Sequence, residues 1–294
     1  MLLEDQTTSN KLKSYLIFLL VPGILVALIY LMGQLFFPGF TFGVLSVGIV
    51  ISLVYVLISY YNSDELILKV VKARPADAKE HKYIINTVEG LCIAANIPKP
   101  KIYVQESEDI NAFATGRNPK DGKICVTTGA IKHLTREELE GVLAHELSHV
   151  KNYDILFMSV VVMLIGVISI VSEMMLRGSF YGARDRDRGA GNALFLVLGI
   201  ILAILAPIVA RLVQLAISRK REFLADSSGA LLSRNPEGLA NALEKIKAHN
   251  MGRLKVNPAV APLYLENPFS AKKVSHWFST HPDINERIKR LRGR

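Results

Sequence analysis

The sequence predicts a mainly α-helical integral membrane protein, with four transmembrane helices and a small α+β domain. Three observations predict it. Half of the 294 residues are hydrophobic and the mean hydropathy is positive, which is high for a soluble chain. Four apolar runs, each about twenty residues long and so able to cross hydrocarbon, fall in two pairs. The segments after each pair are polar and carry helix and strand patterning.

In chain order, Lys11 and Lys13 precede an apolar run from about Tyr15 to Phe37. Pro22 and Gly23 lie inside it, and both are tolerated in membrane helices. Pro38-Gly39 breaks the run, and a second extends from about Phe40 to Tyr61. The link is too short to hold a domain, so residues 1–61 read as a transmembrane hairpin with both ends on one side. The polar start and the long first run argue against a cleavable signal.

Residues 62–154 are polar. Asp77 to Ile97 has helical periodicity, ended by Pro98-Lys-Pro100. Lys101–Gln105, Asn111–Thr115 and Lys123–Thr127 read as short strands of a small antiparallel sheet, with a turn over 116–122. A helix then starts at a capping box, Thr135-Arg-Glu-Glu138, with Leu134 and Leu139 at the positions of a hydrophobic staple. Leu139, Val142, Leu143 and Leu147 continue it at helical spacing.

Residues 155–217 hold the second pair of apolar runs, joined by a polar, glycine-containing loop over 177–189. They read as a second hairpin, the alternative being two buried helices of a soluble core. Glu173 and Arg211 would lie at different depths, each near enough to an interface to snorkel, which favours spanning helices. In residues 218–294 the fourth helix is expected to continue through Ser218–Asp226. Asn235-Pro236 then starts another helix. A proline-containing loop covers 257–269, and Ser279–Asp283 leads into a basic amphipathic helix, Ile284–Leu291. Arg219-Lys-Arg221 and the Lys and Arg of the polar segments place those segments in the cytosol of a multi-pass protein of the cytoplasmic membrane.

Inside the capped helix stands His145-Glu146-x-x-His149. Histidines at i and i+4 share one helical face, so both imidazoles reach one metal ion. Glu146 points to the side, where it can reach an activated water without being a ligand. This suits zinc-dependent hydrolysis of a peptide bond. A catalytic zinc needs a third protein ligand. Glu222 is a candidate, because a spanning hairpin returns the chain to the membrane face it left. Asp226, one turn further, could accept a ligand ring N–H and fix its tautomer. Alternatively, Glu222 and Asp226 pair with Arg219 and Arg221 on a solvated face.

The net charge of +9 reads as topology and lipid contact, and no basic, aromatic-rich pattern points to nucleic acid. Cys92 and Cys125 form no CxxC and read as buried free thiols. His81, His133, His249 and His276 have no matching partner and read as surface residues.

Glu222-Phe-Leu-Ala-Asp226 follows the histidine motif after a hydrophobic insertion. Asn111-Ala-Phe-Ala-Thr-Gly116, Thr127-Thr-Gly129, His281-Pro282 and Arg287 accompany them. Together these motifs resemble the HtpX-type membrane zinc metalloproteases of peptidase family M48, the group that includes Ste24 and Oma1. The resemblance runs from the first apolar run to the tail, and the length and two hairpins fit the HtpX branch. It implies a gluzincin-like metalloprotease domain with one zinc ion per chain, held by His145, His149 and Glu222, and Glu146 as general base. It implies that Asn111, Ala112, Phe113 and Ala114 form an edge strand on which substrate lies. His281 would meet the oxyanion, the alternative being a turn residue beside a helix cap, and Arg287 would hold its segment or assist there. The implied substrates are misfolded or damaged membrane proteins and unfolded polypeptides, cut in cytosolic segments. The rival readings are a CAAX-type prenyl-protein protease and a non-catalytic membrane protein with a structural metal.

Overall fold

The computed structural model describes residues 39–159, 219–250, 260–266 and 282–293, with isolated positions at 12, 22–23, 26–27, 29–30 and 162. The fourth apolar run and His281 lie outside the described residues, as do most of the first run and all of the third beyond 155–159 and 162. Among the described residues one helix is long and apolar enough to cross a membrane. It is α1, Thr41–Val70, whose stretch Thr41–Ile58 has a hydropathy of 2.5. Phe42, Val47, Val50 and Leu57 are exposed along it, as lipid-facing side chains would be. The last turns change role. Ile67 and Leu68 are buried against a sheet, and Asp64 forms a buried ion pair with Lys123 of that sheet, Oδ2 to Nζ 2.7 Å.

The sheet has four short strands: β1 (Arg74–Pro75), β2 (Lys101–Gln105), β3 (Ala112–Thr115) and β4 (Lys123–Thr127), in the order β1-β2-β4-β3. It is mixed, not antiparallel as the strand pattern suggested. β3 and β4 form an antiparallel pair with Phe113 opposite Cys125, but β4 lies parallel to β2, with Val104 opposite Val126. The link over 106–111 carries the chain past the position beside β2, so β3 takes the far edge and β4 returns between them. Alternation then divides the side chains. Ile102, Ala112, Ala114, Ile124 and Val126 face a helical core, while Tyr103, Phe113 and Cys125 face the end of α1 and Tyr264. Cys92 and Cys125 are buried free thiols, as expected.

Helix α2 covers Lys82–Ala95, shorter than the periodicity implies. Asp77 shortens it at its start by accepting the backbone N–H groups of Lys79 and Glu80, and its own N–H donates to His81 Nδ1 at 3.1 Å. His81 is therefore buried, not a surface residue. A short helix α3, Thr128–His133, has no counterpart in the sequence pattern; the Thr127 hydroxyl caps it by accepting from Ala130 N–H. Helix α4, Arg136–Lys151, starts at the anticipated capping box. Glu138 N–H donates to the Thr135 hydroxyl at 3.3 Å, and the Glu138 carboxylate accepts from Thr135 N–H at 2.7 Å. Leu139, Val142, Leu143 and Leu147 of α4 are buried in the helical core.

Helices α5 (Arg219–Ser233), α6 (Pro236–His249) and α7 (Ile284–Leu291) complete the described chain. Two glycines let α4 approach its neighbours. A Cβ on Gly141 would stand 2.6 Å from Leu239 N of α6, and one on Gly229 of α5 would stand 2.9 Å from His145 N and 3.0 Å from its Cα. Gly229→Ala should therefore destabilise the protein by about 1–3 kcal/mol, although alanine favours a helix by about 1 kcal/mol over glycine. A raised unfolding temperature for that variant would contradict the close crossing.

Candidate metal centre

His145 and His149 lie on α4, a turn apart, where the capping box and the buried leucines fix the helix. On α5 the buried positions are Arg221, Glu222, Ala225, Asp226 and Gly229, a stripe at helical spacing. Gly229 brings that stripe against α4 at His145 itself. The crossing carries Glu222 to the two imidazoles: one ligand atom each from His145, His149 and Glu222 lie within 4.8 Å of one another. The Nε2 atoms of the histidines are 3.2 Å apart. Glu222 oxygens lie 3.6 Å from His149 Nε2 and 3.9 Å from His145 Nε2. Two imidazole nitrogens on a tetrahedral zinc would stand about 3.3 Å apart, given Zn–N bonds of about 2.0–2.1 Å. The donor set fits that ion.

Both rings are oriented from behind. The His145 Nδ1 is 3.0 Å from Asp226 Oδ1, and the His149 Nδ1 is 3.0 Å from Asp154 Oδ2. A carboxylate at each Nδ1 fixes the proton there and leaves each Nε2 facing the shared point. Asp226 is the residue the spacing suggested for this task. Arg287 holds it with two bonds, Nε to Oδ2 at 2.9 Å and Nη2 to Oδ1 at 2.7 Å, and a third nitrogen donates to the carbonyl of Leu265 at 3.3 Å. Glu222 and Asp226 thus face the metal cluster and Arg287, not solvent. Sequence reasoning does not find the Asp154 contact. Its one signal is a carboxylate five residues past the second histidine, at the mouth of an apolar run where a lone charge is costly.

Burial pushes the Glu146 carboxyl up, and the neighbouring Glu222 charge adds to this, to about 7. His149 and Arg287 oppose the rise, as does a hydrogen bond from the backbone N–H of Ala114. Burial and Arg287 keep His145 neutral. Burial disfavours charge on His149 too, but the Asp154 hydrogen bond and the Glu222 charge outweigh it and raise that ring to about 9. A ligand must shed its proton to bind. Below about 9 the His149 proton competes with zinc, so apparent zinc affinity should rise about tenfold per pH unit from pH 7 and level off near 9. Competition titrations across that range test it, and a flat profile contradicts it.

Strand β3 runs beside the cluster. Its residues are expected to present an edge to substrate, and only part of that edge is open. The Ala112 carbonyl already accepts from Leu265 N–H at 2.9 Å. The Asn111 side chain bonds Glu266 twice, donating to its carbonyl at 2.8 Å and accepting its N–H at 3.2 Å. Phe113 turns to the far face, against Tyr264. Ala114 lines the cleft in front of the histidines, with Ile155, Met158, Leu263 and Leu265 as its apolar walls. No residue pattern marks the 263–265 wall, which comes from the proline-containing loop. His133 and His249 lie beside each other, ring centroids 4.2 Å apart, and no third ligand joins them among the described residues.

A three-ligand cluster on two crossed helices, with a carboxylate beside it and an edge strand along it, defines a metallopeptidase site of the histidine-plus-glutamate kind. Residues 78–294 match peptidase family M48. The chain is 43% identical over 288 residues to a "Protease HtpX homolog" of Dictyoglomus turgidum, covering 97% of this chain and 92% of that protein. It is 43% identical to the homolog of Caldanaerobacter subterraneus, covering 99% and 97%, and 36% identical to that of Streptococcus uberis, covering 99% of each. The crystal structure of Ste24p from S. mikatae shares the fold, with a TM-score of 0.52 at 18% identity. That match covers 98% of this chain and 66% of Ste24p, so a third of Ste24p has no counterpart here. The chain belongs to peptidase family M48, among its HtpX-type members, and is a membrane metalloprotease.

Proposed function

We propose that the chain is a zinc endopeptidase of the cytoplasmic membrane that cuts cytosolic segments of misfolded or damaged membrane proteins. The observation that carries this is the convergence of His145, His149 and Glu222, with Glu146 alongside and an apolar cleft in front. The cleft walls include Ile155 and Met158, from the start of the third apolar run, which supports a site at the bilayer surface. The juxtamembrane Arg219-Lys-Arg221 supports the cytosolic side.

His145, His149 and Glu222 would hold zinc, which when bound supplies Lewis acidity toward a water and a peptide carbonyl. Glu146 takes the proton of the attacking water and returns it to the leaving amine. Burial and the Glu222 charge raise this carboxyl above the ordinary carboxylate range, which brings it toward the values that suit both transfers. The Ala114 N–H fixes one side of that carboxylate and keeps it beside the edge of β3. Arg287, bonded twice to Asp226, braces the ligand helix from behind, which supports the holding role over one at the oxyanion. The oxyanion contact falls to His281, as the resemblance implies.

The test uses the full chain in detergent with casein and a destabilised membrane protein as substrates. Chelation should abolish cleavage of both, and one equivalent of zinc should restore it. Cleavage that survives complete zinc removal, or a zinc-restored enzyme that ignores both substrates, sinks the reading.

A further inference from the structure

We infer that Asp154 and Arg221 form a clasp that positions His149 for the metal and ties the two ends of the 155–218 segment to each other. The inference rests on His145, His149 and Glu222 being the zinc ligands, and goes beyond that reading.

Helix α4 ends at Lys151. Asn152 caps it, and Tyr153 then adopts a left-handed conformation, φ 61°. A bulky residue there costs about 1–2 kcal/mol, so the contacts of Asp154 must hold the reversal in place. It folds Asp154 back onto the face of α4 that the chain has just left, where Oδ2 meets His149 Nδ1 at 3.0 Å. The other oxygen, Oδ1, lies 3.5 Å from Nη1 of Arg221, next to the third ligand on α5. The Arg221 guanidinium lies 5.0 Å over the ring of Phe157, one turn past Asp154. Asp154 and Arg221 are both buried.

This placement has three effects. With its Nδ1–H held, His149 cannot flip its tautomer or rotate its ring, so its Nε2 lone pair stays on the metal point. A buried carboxylate needs a counter-charge, and Arg221 supplies one, so the contact to His149 is not lost to water. And the counter-charge comes from the residue preceding Glu222. The chain leaves the site at Asp154 and re-enters it at Arg221, and the clasp closes that interval at its base. The arrangement parallels Asp226 with Arg287 behind His145, so each imidazole has a carboxylate and each carboxylate an arginine.

The test measures zinc dissociation constants by chelator competition on the full chain in detergent. The proteins are wild type, Asp154→Ala, Asp154→Asn, Arg221→Ala and the double alanine variant. Asp154→Ala should weaken zinc 10–100-fold. Asp154→Asn, which keeps an acceptor for the ring N–H, should fall between it and wild type. Arg221→Ala should weaken zinc less than Asp154→Ala, and the double variant should bind no worse than Asp154→Ala alone, since Arg221 acts through Asp154. A merely structural Asp154 would lower the unfolding temperature of the metal-free protein and leave zinc affinity unmoved. An Asp154→Ala affinity less than threefold from wild type overturns the inference. If that variant does not fold, Asp154→Asn decides, and an affinity equal to wild type overturns the inference. Additive losses in the double variant overturn the clasp. Wild-type protein that binds no zinc would overturn the metal reading itself, a distinct result.

Discussion

Glu146→Gln is expected to lower kcat for casein cleavage by about 10²–10⁴-fold and to leave one zinc bound per chain. The substitution keeps the shape of the side chain and an oxygen for the Ala114 N–H, and removes only the ability to take a proton. Glu146 stands outside the set of ligand atoms, so metal affinity has no reason to fall. The loss should appear in kcat, because proton transfer belongs to the transition state and not to substrate binding. Wild-type activity should also fall on the acid side as Glu146 becomes protonated. Its value of about 7 applies to the metal-free chain, and a nearby dication favours the carboxylate, so the acid limb should lie below 7. In Glu146→Gln the residual rate should lack that limb. A variant with zinc bound and wild-type kcat would remove Glu146 from the chemistry.

Arg287→Met should destabilise the fold by about 3–5 kcal/mol, the typical loss when one partner of a buried ion pair is deleted. Arg287 is 2% exposed and is among the largest fully buried side chains described. Its guanidinium holds Asp226 with two bonds, and one nitrogen stands 3.8 Å from a Glu222 oxygen. Methionine fills much of the volume but leaves Asp226 without the charge that, with the His145 hydrogen bond, outweighs burial and keeps its carboxyl at about 2. The sign for Asp226 follows from that depression. Its stabilising contribution is complete above the ordinary carboxylate value near 4 and is lost as pH falls toward 2. Arg287→Met should lose this acid dependence along with the stability, and should unfold at a temperature lower by about 10 °C. Bound zinc should narrow the difference by neutralising Glu222. Equal unfolding temperatures for variant and wild type would mean that the guanidinium contributes nothing net.

The parts of the site that could be read from sequence are those written in local periodicity. The capping box, the buried leucines and the i, i+4 histidines of α4 all follow from spacing along one helix. So does the Glu222–Asp226 pair, once its helix is aligned with the first. What could not be read depends on where the backbone reverses. Tyr153 carries no turn signal, yet its left-handed conformation is what returns Asp154 to His149. The parallel pairing of β4 with β2 depends on how the 106–111 link crosses, and residue type says little about that. His81 is polar and unmatched in sequence, and is buried because a backbone N–H four residues earlier takes its ring nitrogen. The 263–266 stretch has no periodicity, so its hold on β3 is invisible until the chain is folded.

That hold shapes what the groove can accept. Leu265 sits where an incoming chain would otherwise pair with Ala112, which leaves a short bench beginning at Ala114. A guest resting there gains few backbone bonds and must be gripped largely by greasy walls. Such a bench would discriminate poorly between sequences and strongly against rigid guests. That is the selectivity the proposed substrates, slack and unravelled polypeptides, would require.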